Sequence, residues 1–336
     1  MYGPVIDIIL PIFGLLMVGY ITASVGWFDQ SAVRGLTRFV FDFAVPMLLL
    51  RTISTTTLPN VIPWDYLASY YLGTFIILFS GLGLTRILWQ RTFSQQVINA
   101  FSGSFSNTVL LGIPIILLAF GDQAVLPLFI IIGTHGIIMV PLFTIMLEIG
   151  KSGRAPIKTV VTKASYGLFT NPLIIGLLSG LVCNYFEITL WKPLDEIVRL
   201  LANSVTPCAL FALGATLVSF RKNIPWQEVP IIVIIKTIVH PIVVWSLATL
   251  VFGVKEAIWV KVLVMLAAQP TGVNPFLFAS RYNVGQSVSS GTAFISTVFS
   301  VLTLSVLLAF LQCCLLYTSD AADERSSVDL GGRRII

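Results

Sequence analysis

SGSFSNTVLLGIPIILLAFG (102–121) and AAQPTGVNPFLFASRYN (267–283) decide the fold of this chain. Both are apolar stretches with a polar, helix-breaking centre. In the first, Ser102, Ser104, Ser106, Asn107 and Thr108 stand beside Gly103, Gly112 and Pro114. In the second, Gln269, Pro270, Thr271, Gly272, Asn274 and Pro275 do the same. Such a helix break frees backbone N–H and C=O groups, which must then face protein or a water-filled cavity. Half-helix N-termini carry partial positive charge and attract anions. Two breaks crossing at mid-membrane would make a site for a carboxylate or a coupling ion. Tighter packing through small and polar residues is the plain alternative.

Working outward, the chain is 56% hydrophobic and only 10% charged, where soluble domains carry about a quarter charged residues. It is read as an all-α membrane protein. Ten apolar segments lie near 4–24, 32–54, 66–89, 97–120, 124–148, 165–186, 194–219, 228–252, 257–281 and 286–312. Each is long enough to cross about 30 Å of hydrocarbon as a helix. The first lacks a basic flank and a cleavage pattern, so it reads as a retained span and not a signal peptide.

A shift of 161 residues lays Pro11 on Pro172, Pro46 on Pro207 and Pro114 on Pro275, and Gly19 on Gly180. Composition alone gives roughly 0.45 proline matches at one offset, so the match points to an internal repeat. The expected division is 1–150 for a first repeat of five helices, 151–164 for a cytoplasmic linker and 165–313 for a second repeat. Basic residues favour the connections after the odd-numbered segments, among them Arg34, Arg86, Arg91, Lys151, Arg154, Arg221, Lys222 and Arg281. The positive-inside bias puts that side in the cytoplasm and both termini outside it. Five spans per repeat is odd, so the second repeat is inverted, and its site is expected near the bilayer midplane.

Residues 314–336 are set apart. CLLYTSDAADE (314–324) and VDLGGRRII (328–336) resemble translations of DNA adapters used in library preparation, so this tail is expected to be non-native. Cys183 and Cys208 read as packing residues, and no cysteine shows metal-ligand spacing.

NTVLLGIPIILLAFG (107–121), QPTGVNPFLFASRYNV (269–284) and RFVFDFAVPMLLL (38–50) resemble the auxin efflux carrier family, which includes plant PIN carriers and bacterial malate and malonate permeases. The resemblance spans about residues 5–312. It implies ten helices in two inverted repeats of five, with broken crossover helices four and nine. Segments one, two, six and seven would form a scaffold, and the rest a mobile transport domain. Plant PIN carriers mark the first crossover with Pro-Asn; here it is Ser106-Asn107, and the second-crossover proline matches Pro270. The implied activity is secondary transport of a small organic anion, a dicarboxylate such as malate or malonate or an auxin-like acid, across the plasma membrane (the inner membrane of a bacterium). Substrate contacts are expected from Ser106, Asn107, Thr108, Gln269, Pro270, Thr271 and Asn274. The resemblance allows a homodimer through the scaffold.

Three charged or titratable residues are candidates for proton or sodium coupling. Asp42 lies mid-segment two, where a carboxylate is costly, although Arg38 four residues earlier can pair with it. His135 and Lys236, with His240 beside Lys236 on segment eight, fall in the expected transport domain. Two histidines are too few for a metal site. No phosphate loop, dinucleotide fingerprint or nucleophile–base motif occurs, so neither a cofactor nor enzyme chemistry is indicated. The small net charge of +5 does not read as a nucleic-acid surface. A sodium-coupled organic anion carrier of related crossover fold is one rival reading. A channel is another, and would need polar residues along a continuous path.

The orientation is testable. In a cysteine-free background, single cysteines at Lys151 and Glu187 should label from opposite faces of the membrane, position 151 from the cytoplasm. Labelling of both from one face would rule out the inverted repeat.

Overall fold

The computed structural model describes residues 3–58, 63–150 and 170–328, with side chains from residue 5 to 312 within those limits. The expected linker 151–164 lies outside the described residues, and so do the side chains of the expected tail. The described chain is helical, and among the described residues there is no strand beyond one isolated bridge.

The first four helices are α1 (Gly3–Ser24), α2 (Gln30–Phe39), α3 (Val45–Thr55) and α4 (Trp64–Trp89). Asp29 caps α2 by accepting from the Ala32 N–H at 2.8 Å, which holds its carboxyl below the usual range. Next come α5 (Phe93–Ser104), α6 (Ile113–Phe120) and α7 (Val125–Gly150). The second part holds α8 (Pro172–Tyr185), α9 (Lys192–Asn203), α10 (Val205–Phe220), α11 (Val229–Ile234) and α12 (His240–Ser246). It closes with α13 (Ala257–Ala268), α14 (Asn274–Tyr282) and α15 (Gln286–Val328).

Six helical stretches are long and apolar enough to cross a membrane: Val5–Ser24, Trp64–Trp89, Thr108–Gly150, Lys192–Phe220, Val229–Val251 and Gln286–Gln312. The shorter α8 and α13 are apolar as well. Large apolar side chains such as Leu10, Phe79, Leu250 and Leu302 point outward, as lipid contact requires. Exposed Trp27, Trp64, Tyr185, Trp191 and Trp226 all sit at helix ends, where an aromatic belt meets the lipid–water boundary.

The prolines do less damage than a kink. Val40–Ala44, Thr108–Gly112 and Ile235–Val239 are π turns, and each lies just before a proline: Pro46, Pro114 and Pro241. Proline has no N–H and its ring collides with the carbonyl four residues back. A wider turn moves that carbonyl aside and keeps the helix continuous. The Gly112 N–H accordingly reaches back five residues to the Asn107 carbonyl at 3.0 Å.

Two helix pairs pack backbone to backbone. A Cβ on Gly19 would stand 2.1 Å from the Phe211 carbonyl oxygen, and one on Gly214 would stand 1.9 Å from that of Leu16, so α1 and α10 meet through glycine. A Cβ on Gly180 would lie 3.0 Å from the Leu50 carbonyl oxygen, and one on Gly176 would lie 2.5 Å from that of Pro46, so α3 and α8 meet the same way. In lipid there is no hydrophobic drive between helices, and close contact of this kind supplies the attraction.

Gly214→Ala should therefore force α1 and α10 apart and cost about 1–3 kcal/mol, the usual range for overpacking. Gly14→Ala, on the same α1 with open space where the Cβ would go, should be neutral or gain up to about 1 kcal/mol. Thermal unfolding in detergent distinguishes them: equal midpoints for the two variants would show that this contact does not hold the helices.

Candidate functional site

Segments four and nine do break, and the breaks meet. Helix α5 stops at Ser104 and α13 at Ala268; between them and the following helices the chain runs extended. The two extended pieces cross as a short antiparallel bridge centred on Ser106 and Thr271. The Asn107 N–H donates to the Pro270 carbonyl at 2.9 Å, and the Gly272 N–H donates to the Phe105 carbonyl at 3.2 Å. Each break thus satisfies the backbone groups that the other leaves open. Gly272 permits the approach, because a Cβ there would press on the Phe105 ring at 3.1 Å.

Side chains complete the pairing. Thr271 Oγ1 donates to the Ser102 carbonyl at 2.6 Å, and the Thr271 N–H donates to Ser296 Oγ at 3.0 Å. Lys236, fully buried on segment eight, reaches both breaks. Its Nζ donates to Ser106 Oγ at 2.9 Å and to the Ala267 carbonyl at 2.6 Å, and lies 3.2 Å from His240 Nδ1. His240 Nε2 is 3.2 Å from Thr74 Oγ1, which donates to the Tyr70 carbonyl at 2.8 Å. One assignment satisfies every group. It takes Lys236 as an ammonium with all three N–H bonds engaged and His240 as neutral, accepting at Nδ1 and donating from Nε2 to Thr74. No ion pair joins Lys236 to a carboxylate among the described residues. Its charge is set instead against the C-terminal carbonyl end of α13, where the helix dipole is negative.

Several buried polar atoms near the crossover have no partner: Asn107 Nδ2, Gln269 Oε1 and both ring nitrogens of His135. Gln269 uses only its Nε2, toward the Met265 carbonyl at 3.1 Å. Its side chain lies by Gly112, which in turn abuts the Asn107 carbonyl. Native proteins leave few buried polar groups unpaired, so such a cluster calls for a partner that the protein itself does not supply, a water, an ion or a ligand. The crossover therefore offers a cation, a spare amide donor and a spare amide acceptor together.

Most of the sequence-expected residues gather here: Ser106, Asn107, Gln269, Pro270, Thr271 and Lys236. Thr108 is buried beside them, its N–H bonded to the Ser106 carbonyl at 2.9 Å. Asn274 is half-buried at the start of α14. His135 packs on Phe105 with ring centres 4.6 Å apart. Asp42 is elsewhere: it sits in a π turn of segment two, partly exposed, and accepts from Arg38 Nε at 2.9 Å. Tyr70, Thr74, Ser296 and the buried Glu228 were not singled out from sequence. Glu228 is held by Arg91 and by Asn99 Nδ2, the latter at 2.6 Å. A signal for Glu228 existed: it is a second charge in segment eight, eight residues before Lys236 and twelve before His240.

A continuous, lipid-facing helical fold with a broken, cation-holding centre defines a membrane transport protein. Residues 4–308 match the family model described as membrane transport protein, and the chain belongs to that family, the one of the auxin efflux carriers. It is similar to a Rhizobium meliloti (strain 1021) protein carrying the provisional name malonate transporter, 28% identical over 307 residues, 91% of this chain and 95% of the relative. It is also similar to auxin efflux carrier component 8 of Arabidopsis thaliana, 23% identical over 344 residues, 86% of this chain and 93% of the relative. A lysosomal cholesterol signaling protein of Mus musculus is 26% identical over 225 residues, but only 25% of that relative is covered. Members of this family are transporters and not enzymes.

The bonding pattern separates two neighbours. Ser106→Ala takes an acceptor from a buried ammonium and should lower stability by about 1–3 kcal/mol. Asn107→Ala removes an amide that bonds nothing in the resting protein, and its backbone bond to Pro270 remains, so stability should hold or rise. Matched thermal unfolding of the purified variants checks this; a larger loss at position 107 than at 106 would contradict the assignment.

Proposed function

We propose that this protein is a secondary active transporter of a small organic anion, a dicarboxylate such as malonate or malate, across the plasma membrane. The observation that carries the reading is Lys236. A buried ammonium bonded to both breaks, with no carboxylate partner among the described residues, leaves one positive charge at a place lined by unpaired polar atoms. An anion balances the charge and accepts from the spare Asn107 amide donor. Asn107 and Thr108 contact it, with Gln269, Thr271 and Asn274 shaping the site. The similarity to a protein named for malonate favours a dicarboxylate over an auxin-like acid. Lys236 supplies the charge that a bound cation would otherwise bring, which favours a proton over sodium as the coupling ion.

The architecture in this reading is ten spans in two inverted repeats, with both termini outside the cytoplasm. The glycine contacts support it. The 161-residue shift carries Gly19 onto Gly180 and Phe211 onto the repeat-mate Leu50, so the contact of Gly19 with Phe211 and that of Gly180 with Leu50 are the same contact made twice. These pairs lock segments one, two, six and seven into a scaffold. The crossover and its helices then move against that scaffold as an elevator, exposing the anion to each side in turn. Asp42, paired with Arg38 away from the crossover, takes no part.

Uptake of labelled malonate, malate and indole-3-acetate into proteoliposomes, with imposed proton or sodium gradients, tests the reading. Saturable dicarboxylate uptake is expected. Asn107→Ala should weaken binding roughly 5- to 150-fold, from loss of about 1–3 kcal/mol. Wild-type affinity in folded Asn107→Ala would place the site elsewhere, and uptake that never saturates would favour a channel.

A further inference from the structure

We infer that His135 is the proton-loading residue of this site: the protein takes up one proton there when a dicarboxylate dianion binds, and none when a monoanion of similar shape binds. The inference rests on the anion reading above and extends it to the coupling step.

His135 is 2% exposed, and neither ring nitrogen has a partner. Its walls are aromatic: Phe105 at 4.6 Å, Tyr70 at 5.6 Å and Tyr71 at 6.4 Å between ring centres. An imidazole kept dry with both nitrogens idle is costly. Its position relative to the crossover gives it a use. Phe105 and Ser106 run extended out of α5, so their side chains leave on opposite sides, and the Thr108 N–H then closes a tight turn at Asn107 onto the Ser106 carbonyl. Ser106 takes Lys236 on its side. The Phe105 ring and Asn107 flank Gly272, where a Cβ would lie 3.1 Å from the ring and 3.5 Å from the Asn107 Cα, and His135 lies against Phe105. An anion held by Asn107 is therefore beside the imidazole, with Lys236 behind the strand.

Charge decides the rest. The empty site holds one positive charge, on Lys236. A monoanion neutralises it. A dianion leaves one negative charge over, and an unbalanced charge in a dry interior is expensive. The titratable groups that face His135 are Tyr70 and Tyr71 from α4 and Lys236 and His240 from segment eight. The tyrosines can only lose protons. Lys236 has its three N–H bonds committed, and His240 has both nitrogens committed to Lys236 and Thr74. His135 alone among these has a nitrogen open to a proton. One nitrogen gains the proton from the aqueous side that the site faces, and the imidazolium N–H then donates to the second carboxylate. No covalent bond to the substrate forms or breaks. On the far side the dianion leaves and the proton follows it to water. The loaded site is then neutral with either class of anion, which lowers the cost of burying it as it moves.

The test is calorimetric titration of the purified protein with malonate and with its half-amide, which keeps the size and loses one charge. Runs in buffers of different ionisation enthalpy, above the second ionisation of malonate, count the protons exchanged. The expected result is about one proton taken up per malonate and none per half-amide. Malonate affinity should rise as pH falls, approaching about tenfold per pH unit, while half-amide affinity stays flat. His135→Asn, with His135→Gln as a second variant, should lose the proton uptake and bind malonate at least tenfold more weakly. Malonate binding without proton uptake in the wild type overturns the inference, as does uptake that persists in both variants. If the folded wild type binds neither ligand, the anion reading itself falls, and this inference with it.

Discussion

Broken helices in hydrocarbon are allowed only where every freed backbone group finds a partner, and the arrangement of this protein follows from how that condition is met. The two breaks answer each other through Asn107 with Pro270 and Gly272 with Phe105. Lys236 and Thr271 then tie the ends of α13 and α5 to the crossing. Remove this mutual pairing and segments four and nine have no way to stop without leaving backbone groups unpaired. With it, the chain holds a polar, charged centre inside an apolar shell.

A second constraint acts on the packing outside that centre. Helices in lipid attract one another by contact and not by exclusion from water. Gly19, Gly214, Gly176 and Gly180 let carbonyl oxygens of the facing helices come where any side chain would stand. The helices joined in this way hold none of the unpaired crossover atoms. A close-packed frame beside a polar centre is the division of labour that the transport proposal needs, since only one of the two parts has to move.

The π turns before Pro46, Pro114 and Pro241 show how the same residue serves two ends. At Pro46 and Pro241 the wider turn preserves a continuous span. At Pro114 it sits directly after the first break, so the chain returns from extended to helical within a few residues. Proline thereby shapes the crossover without standing in it on the first side, where Ser106 occupies the place and gives its hydroxyl to Lys236. The serine is thus a ligand of the cation as well as part of the turn.

The sequence by itself determined that the chain is helical and apolar and that 102–121 and 267–283 would break, because hydropathy, glycine and proline act locally. It also named nearly all residues of the crossover. Tertiary structure decided which of the costly residues belong to that site. Asp42 and Lys236 look alike in sequence, each a charge within an apolar run. Arg38 lies one turn before Asp42 and pairs with it, whereas the acceptors of Lys236, Ser106 and Ala267, come from segments far away in the chain. The same holds for His135, whose idle nitrogens become visible only once Phe105, Tyr70 and Tyr71 are folded around it. Long-range pairing of polar groups leaves no periodic mark on the sequence, because it depends on how helices from opposite halves are brought together.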